Sequence, residues 1–267
     1  FPDRRTVSIS KAANNPEMYL HTWRYLRRHG AAPQAVVVQL NPRAFSSTNY
    51  YRPDSEFPRI QYQMYWDTMV SRALYRPLAI FHVIDARPLN RQAYGQLLRR
   101  ELDEAPAAFQ LLADREDDGE ERWYGMTFRE HFYLRYCVPI SSEQPALLAL
   151  VEFVAALRGD GVAVFLYLTP IDVERGEKEL GMDVAGALDY NRNKIHAALA
   201  PFLAQDNGVQ FYDASQTLPS AAFMHDEGPP IEHLYDRGLT HLFGELQPRI
   251  EALLAGSAGP RAPMDSE

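Results

Sequence analysis

One cysteine and three lysines in 267 residues narrow the chemistry open to this chain. Cys137 alone can form neither an intrachain disulfide nor a cysteine-based zinc cluster. Its setting, Tyr136-Cys137-Val138, is apolar, so the sulfur reads as a buried, inert thiol. Lys11, Lys178 and Lys194 leave the positive charge almost entirely to arginine, and the net charge is -8. No basic stripe gathers to meet phosphates, which argues against a general nucleic-acid or anionic-membrane surface. The longest apolar region, Ala146 to Leu168, is broken by Arg158-Gly159-Asp160-Gly161 and does not read as a bilayer span.

An apolar content of 46% is ample for a packed core. Val7-Ser8-Ile9-Ser10 reads as a short strand, followed by the cap Asn14-Asn15-Pro16 and a helix presenting Tyr19, Leu20, Trp23 and Leu26 as far as His29-Gly30. Ala35 to Leu40 is a β-branched run without alternation, as in a central strand buried on both faces. Two further helix-strand units follow, Pro145 to Leu168 and Tyr190 to Asp213, and a C-terminal helix carries Leu239, Leu242, Phe243, Leu246 and Ile250. Four parallel strands with intervening helices predict a doubly wound α/β sheet whose ligands bind beyond the carboxyl ends of the strands.

The expected organisation is one domain over residues 1–255 with a cap inserted over residues 46–141, and a disordered tail over 256–267. The insertion is rich in Tyr, Arg and Pro, with a helix around Gln92 to Leu102 and a solvated acidic loop from Asp114 to Glu121. Its aromatic and histidine groups, Tyr65-Trp66-Asp67, Phe81 to Asp85, and Trp123-Tyr124 with Arg129-Glu130-His131, read as core more readily than as sugar-stacking surfaces. His82, Asp85 and His131 have no metal-ligand spacing. Ser8-Ile9-Ser10-Lys11 fits the Ser-x-x-Lys pattern but lacks the Ser-Asp-Asn and Lys-Thr-Gly partners, so the match is a coincidence.

Strand-end residues converge in such a sheet. Here they are Ser8, Ser10, Asn41, Asp172, Asp213 and the loop Glu232-His233. A histidine ahead of a helix, with a carboxylate beside it, can take a proton from a hydroxyl nucleophile while the acid fixes its tautomer. An asparagine amide and backbone N–H groups can hold the oxyanion of an ester under attack.

At these positions the chain resembles the SGNH (GDSL-like) hydrolase superfamily, and within it the branch of membrane-anchored or periplasmic acyl-transfer proteins of alginate acetylation and D-alanyl lipoteichoic acid synthesis. Val7 to Ala12 resembles the second block, with Ser10 or Lys11 where that family usually has an oxyanion-hole glycine. Val36 to Phe45, VVVQLNPRAF, resembles the third block and matches Asn41 to its asparagine. Leu166 to Asp172 and Tyr190 to Asp213 are similar to the later strands, and Glu232-His233-Leu234 with Gly238 to the histidine block. The acid normally stands two or three residues before the histidine, where this chain has Ile231 and Pro230. The first block, which bears the nucleophilic serine, would lie upstream of Phe1.

The resemblance implies a three-layer α/β/α, SGNH or flavodoxin-like fold and an esterase or O-acyltransferase without metal or organic cofactor. His233 would be general base and then acid, Glu232 or Asp226 would orient it, and Asn41 with an amide near Ser10 would bind the oxyanion. The expected substrate is an ester-linked acyl group on an envelope glycan, in a periplasmic or extracytoplasmic setting, with any membrane attachment through an N-terminal anchor outside this chain. The replaced glycine and displaced acid leave open a non-catalytic SGNH-like protein that binds a glycan or organises an assembly.

Overall fold

The computed structural model describes residues 6–8, 15–46, 90–113, 127–205, 208–224 and 232–256. Asn15 starts the first helix by accepting the Met18 N–H on its Oδ1 at 3.0 Å, and Pro16 fills the first turn, where no N–H is needed. Helix α1 (Pro16–Arg28) buries Leu20 and Trp23 and ends at His29, followed by Gly30 at φ +80, a conformation that suits glycine.

Strands β1 (Ala35–Leu40), β2 (Ala163–Leu168) and β3 (Val209–Asp213) form a parallel sheet in the order β1-β2-β3, with Val36 opposite Val164 and Leu166 opposite Phe211. Between β1 and β2 lie α2 (Arg91–Asp103), α3 (Ala107–Ala113), α4 (Phe128–Phe132), a π-helix over Tyr133–Cys137, and α5 (Pro145–Gly159). Helices α6 (Val173–Leu180) and α7 (Val184–Gln205) join β2 to β3, and α8 (Asp236–Gly256) follows β3.

Successive strand residues point to opposite faces, and the packing divides accordingly. Val164, Leu166 and Leu168 of β2 pack with Val38 and Leu40 of β1 against α1, α5 and α7. Ala163 and Phe165 meet Leu242, Leu246 and Ile250 of α8 on the other face. Helices therefore cover both faces of β2, whose continuous apolar run is what double coverage requires. A polar tie supports the α1–α5 contact: Trp23 Nε1 and Arg27 Nε donate to the two carboxylate oxygens of Asp160, at 3.1 and 2.8 Å. The described parts of the insertion form a second apolar cluster with α6 and α7, through Leu98, Phe109, Tyr133, Leu180 and Leu188.

Two expectations need correction. Val7 and Ser8 are exposed and belong to no strand, so the sheet has three strands rather than four among the described residues. Among the described residues Val7 is 69% exposed. The strand β1 is not buried on both faces either. Val37 and Gln39 are exposed because α8 lies over β2 and leaves that side of β1 uncovered by described residues. On α8, Leu242, Leu246 and Ile250 are buried as expected, whereas Leu239 and Phe243 are exposed. Residues 257–267 lie outside the described part of the chain. No described helix is long and apolar enough to cross a membrane.

Candidate functional site

The chain turns sharply where each strand ends, and side chains cap each turn. Asn41 follows β1 and opens the 3-10 helix Pro42–Phe45, its Oδ1 accepting the Arg43 N–H at 3.0 Å. Its Nδ2 points the other way and donates to Glu232 Oε2 at 2.7 Å. The same carboxylate oxygen accepts the hydroxyl of Tyr136 from the π-helix, and Oε1 pairs with the guanidinium of Arg43. Three donors from two distant segments thus converge on a carboxylate that is 7% exposed. Charge-assisted hydrogen bonds of this kind offset the cost of burying the charge.

Electrostatics keep the donors in their donating forms. Burial, followed by the Glu232 charge, holds the Tyr136 phenol well above its ordinary value, so it remains protonated. Arg135, next to it on the π-helix, is lowered mainly by burial, with the Arg43 charge adding to the effect and its interactions with Tyr136 and the Glu232 carboxylate opposing it. Arg43 therefore pairs with this carboxylate directly, and Arg135 interacts with it through space.

The loop after Glu232 is held by a small antiparallel clasp. Phe223 and Leu234 form a bridge, the Met224 N–H donates to the His233 carbonyl at 2.8 Å, and the Tyr235 N–H donates to the Ala222 carbonyl at 3.0 Å. Gly238, in the first turn of α8, passes so close that a Cβ there would meet the Ala222 carbonyl oxygen at 2.9 Å. The clasp fixes the backbone of His233, but its side chain is exposed and makes no hydrogen bond among the described residues. Glu232, expected as one of two acids that would orient it, binds Asn41, Tyr136 and Arg43 instead. Asp226, the other acid, and Ser10, expected at the oxyanion turn, lie outside the described residues.

The other strand-end residues serve the turns around them. Asp172 caps α6 by accepting the Arg175 N–H at 3.1 Å and also takes the Ser220 hydroxyl at 2.8 Å. Asp213 accepts the Ser215 N–H and hydroxyl, at 2.9 and 2.6 Å, and pairs with Arg192 at 3.2 Å. Ser46 donates to the Arg43 carbonyl. The hydroxyls of Ser46, Ser215 and Ser220 are each committed to a local acceptor, and none is bonded to His233. Ser8 is exposed.

In the insertion, Glu130 completes a capping box with Thr127, Arg129 donates to the Phe109 carbonyl at 3.1 Å, and His131 is buried. His82, Asp85 and the groups around Trp66 and Trp123 lie outside the described residues. Among the described residues no group of three or more His, Cys, Asp or Glu side chains is arranged to hold a metal ion. Sequence reasoning missed Tyr136, Arg43 and Arg135. Tyr136 sits in an apolar run, and Arg43 directly follows Pro42. No family model, curated protein or solved structure matches the chain.

Proposed function

We propose that this chain is the α/β body of an SGNH-type serine esterase or O-acyltransferase, doubly wound, that acts on ester-linked acyl groups of an envelope glycan in a periplasmic or extracytoplasmic setting. The contact between Asn41 and Glu232 carries this reading. It brings the asparagine that ends β1 and the histidine loop ahead of α8 to one carboxyl edge, where a single carbonyl can be served by both. His233 takes the hydroxyl proton and returns it to the leaving group, and the second hydrogen of Asn41 Nδ2 meets the oxyanion. No described serine is bonded to His233, so in this scheme the nucleophile is a serine outside the described residues.

Asp226 is the acid that fits this reading, because Glu232 is already bound to three donors. The experiment is labelling of the full-length protein with a serine-directed fluorophosphonate and its hydrolysis of p-nitrophenyl acetate. Labelling and hydrolysis are expected, with His233→Ala abolishing both. A full-length protein that neither labels nor hydrolyses ends the catalytic reading.

One observation favours a second reading, a non-catalytic protein that binds a glycan. Asn41, Glu232, Tyr136 and Arg43 satisfy one another, and no described acid holds the His233 ring. On that reading the full-length protein is inert to the phosphonate yet retained on an acetylated polysaccharide column.

A further inference from the structure

The carboxyl edge of the sheet holds one more polar side chain, at the end of the central strand. The β1–β2 ladder runs one bond past its last register pair, Leu40 and Leu168, because the Thr169 N–H donates to the Leu40 carbonyl at 3.0 Å. Pro170 follows, and a residue before proline is held extended, so the alternation of β2 continues through Thr169. Phe165 and Tyr167 pack on the α8 side of the sheet and Leu166 and Leu168 on the other, which places Thr169 on the α8 side. Asn41, extended at φ -83 and ψ 127, continues β1 past Leu40 in the same way. Asn41 and Thr169 are therefore neighbours on one face, on strands that run about 4.8 Å apart. Leu234, next to His233, packs against that same face.

Thr169 is 4% exposed, and its hydroxyl has no hydrogen-bond partner among the described residues. Backbone groups close to it in the chain are committed elsewhere: the Ile171 N–H goes to the Ser215 carbonyl and the Leu168 carbonyl to the Ala214 N–H. On β3 the neighbouring position is Ala214, which has no polar side chain to offer. A buried hydroxyl is ordinarily satisfied, and an unpaired one costs stability, so one kept beside Asn41 marks a place where a ligand supplies the partner. The Asn41 amide points the same way. One Nδ2 hydrogen goes to Glu232, and the other has no acceptor among the described residues. Two neighbouring donors without an acceptor suit an oxygen that gains negative charge.

We propose, resting on the esterase reading of this edge, that Thr169 is a further catalytic residue, whose hydroxyl donates to the acyl carbonyl oxygen together with Asn41 Nδ2. As the nucleophile's oxygen bonds to the acyl carbon, the π pair of the C=O bond moves onto the carbonyl oxygen, and the nucleophile's proton goes to His233. When that pair returns, the ester C–O bond breaks and His233 delivers the proton to the leaving oxygen. Thr169 keeps its own proton throughout. Its hydrogen bond strengthens as the charge appears, at a position where bulk water does not compete for the donor.

The test compares Thr169→Val, close in shape but without the hydroxyl, and Thr169→Ser, which keeps it, in the full-length protein with p-nitrophenyl acetate. Thr169→Val should lower kcat by about a hundredfold or more, the scale of one lost oxyanion donor, with KM changed by no more than about twofold. Thr169→Ser should keep at least about a tenth of the wild-type kcat. The pH profile of kcat should keep its shape in both, because no proton of Thr169 is transferred. Urea unfolding supplies the readout that a structural role would move: Thr169→Val should be at least as stable as wild type, since it removes a buried hydroxyl that the fold does not pair. Loss of stability in Thr169→Val would show that the hydroxyl is bonded within the fold and would overturn the assignment. An active wild type matched within about threefold by Thr169→Val ends this assignment alone. A wild-type protein that does not hydrolyse the ester ends the esterase reading and this assignment with it.

Discussion

Asn41 Nδ2 lies 2.7 Å from Glu232 Oε2, across 191 residues of sequence. This contact ties the end of β1 to the loop that carries His233, and Tyr136 and Arg43 complete it from the π-helix and the 3-10 helix. The order of effects at Glu232 follows from the donors. Glu232→Ala leaves an amide, a phenol and a guanidinium without their acceptor and should cost about 3 kcal/mol. Glu232→Gln keeps an oxygen for Asn41 and Tyr136 but loses the ion pair, and should cost about 1–2 kcal/mol. Urea unfolding of both variants checks this, and two equal, small losses would mean that the three contacts carry no net stability.

Asn191 plays a comparable part behind the π-helix. Its Oδ1 accepts the Ile140 N–H at 2.8 Å, and its Nδ2 donates to the carbonyls of Tyr136 and Val138, at 3.3 and 3.1 Å. The side chain is buried, so removing it strands three backbone groups away from water. Asn191→Ala should lower unfolding stability by about 2–3 kcal/mol, and Asn191→Leu, of similar size but without polar atoms, by no less. Rescue by leucine would show that volume, rather than hydrogen bonding, matters at this position.

Periodicity made much of the architecture legible. The parallel strands over Ala35–Leu40, Ala163–Leu168 and Val209–Asp213 match apolar runs bounded by turn residues, and Asn15-Pro16 announced α1 through cap chemistry. At Val7 and Ser8 the pattern misled because a short alternation of apolar and polar residues carries little information without a partner strand; Ile9 and Ser10 lie outside the described residues. Tyr136 was out of reach for a different reason. The π-helix bonds residue i to i+5, as Val138 N–H does to the Tyr133 carbonyl at 3.2 Å, and this changes which side chains share a face relative to an α-helix. Projection at a helical period therefore cannot tell that Tyr136 meets Glu232. The pairing of Asn41 with Glu232 was suggested by strand-end convergence alone; the sequence distance between them carries no pairing signal.

Alkaline pH should expose the buried acids of the insertion cluster. Burial pushes the Cys137 thiol up to about 12, and burial with nearby negative groups does the same to the Tyr133 phenol. In the unfolded chain the two groups lose their protons near 9.0 and 10.0, so above those values the unfolded state binds fewer protons than the folded one. The stability they contribute is therefore whole below about pH 9 and is lost as pH rises toward 12, at up to about 1.4 kcal/mol per pH unit for each group. Urea midpoints between about pH 8 and about pH 11 should fall, and Cys137→Ala should flatten the slope. At about pH 8 the thiol should react with Ellman's reagent only on unfolding. Rapid reaction of the native protein would contradict the burial.

The closest backbone approach at the histidine loop predicts a reversal of sign between two glycines of one helix. Both Gly238 and Gly244 lie in α8, where alanine is favoured over glycine by about 1 kcal/mol. Nothing stands within 4 Å of a Cβ built on Gly244, so Gly244→Ala should stabilise by roughly that amount. A Cβ on Gly238 would meet the Ala222 carbonyl oxygen at 2.9 Å, the Ala222 Cβ at 3.2 Å and the Leu234 Cβ at 3.3 Å. The Ala222 oxygen is also the acceptor for the Tyr235 N–H, so it cannot retreat without loosening the clasp around His233. Gly238→Ala should therefore destabilise by about 1–3 kcal/mol despite its better helix propensity. Amide hydrogen exchange should locate the loss at Met224 and Tyr235, the donors of the clasp, whereas the α8 core should be unchanged. Stabilisation of both variants would mean that helix propensity outweighs the close contact and that the clasp yields without cost.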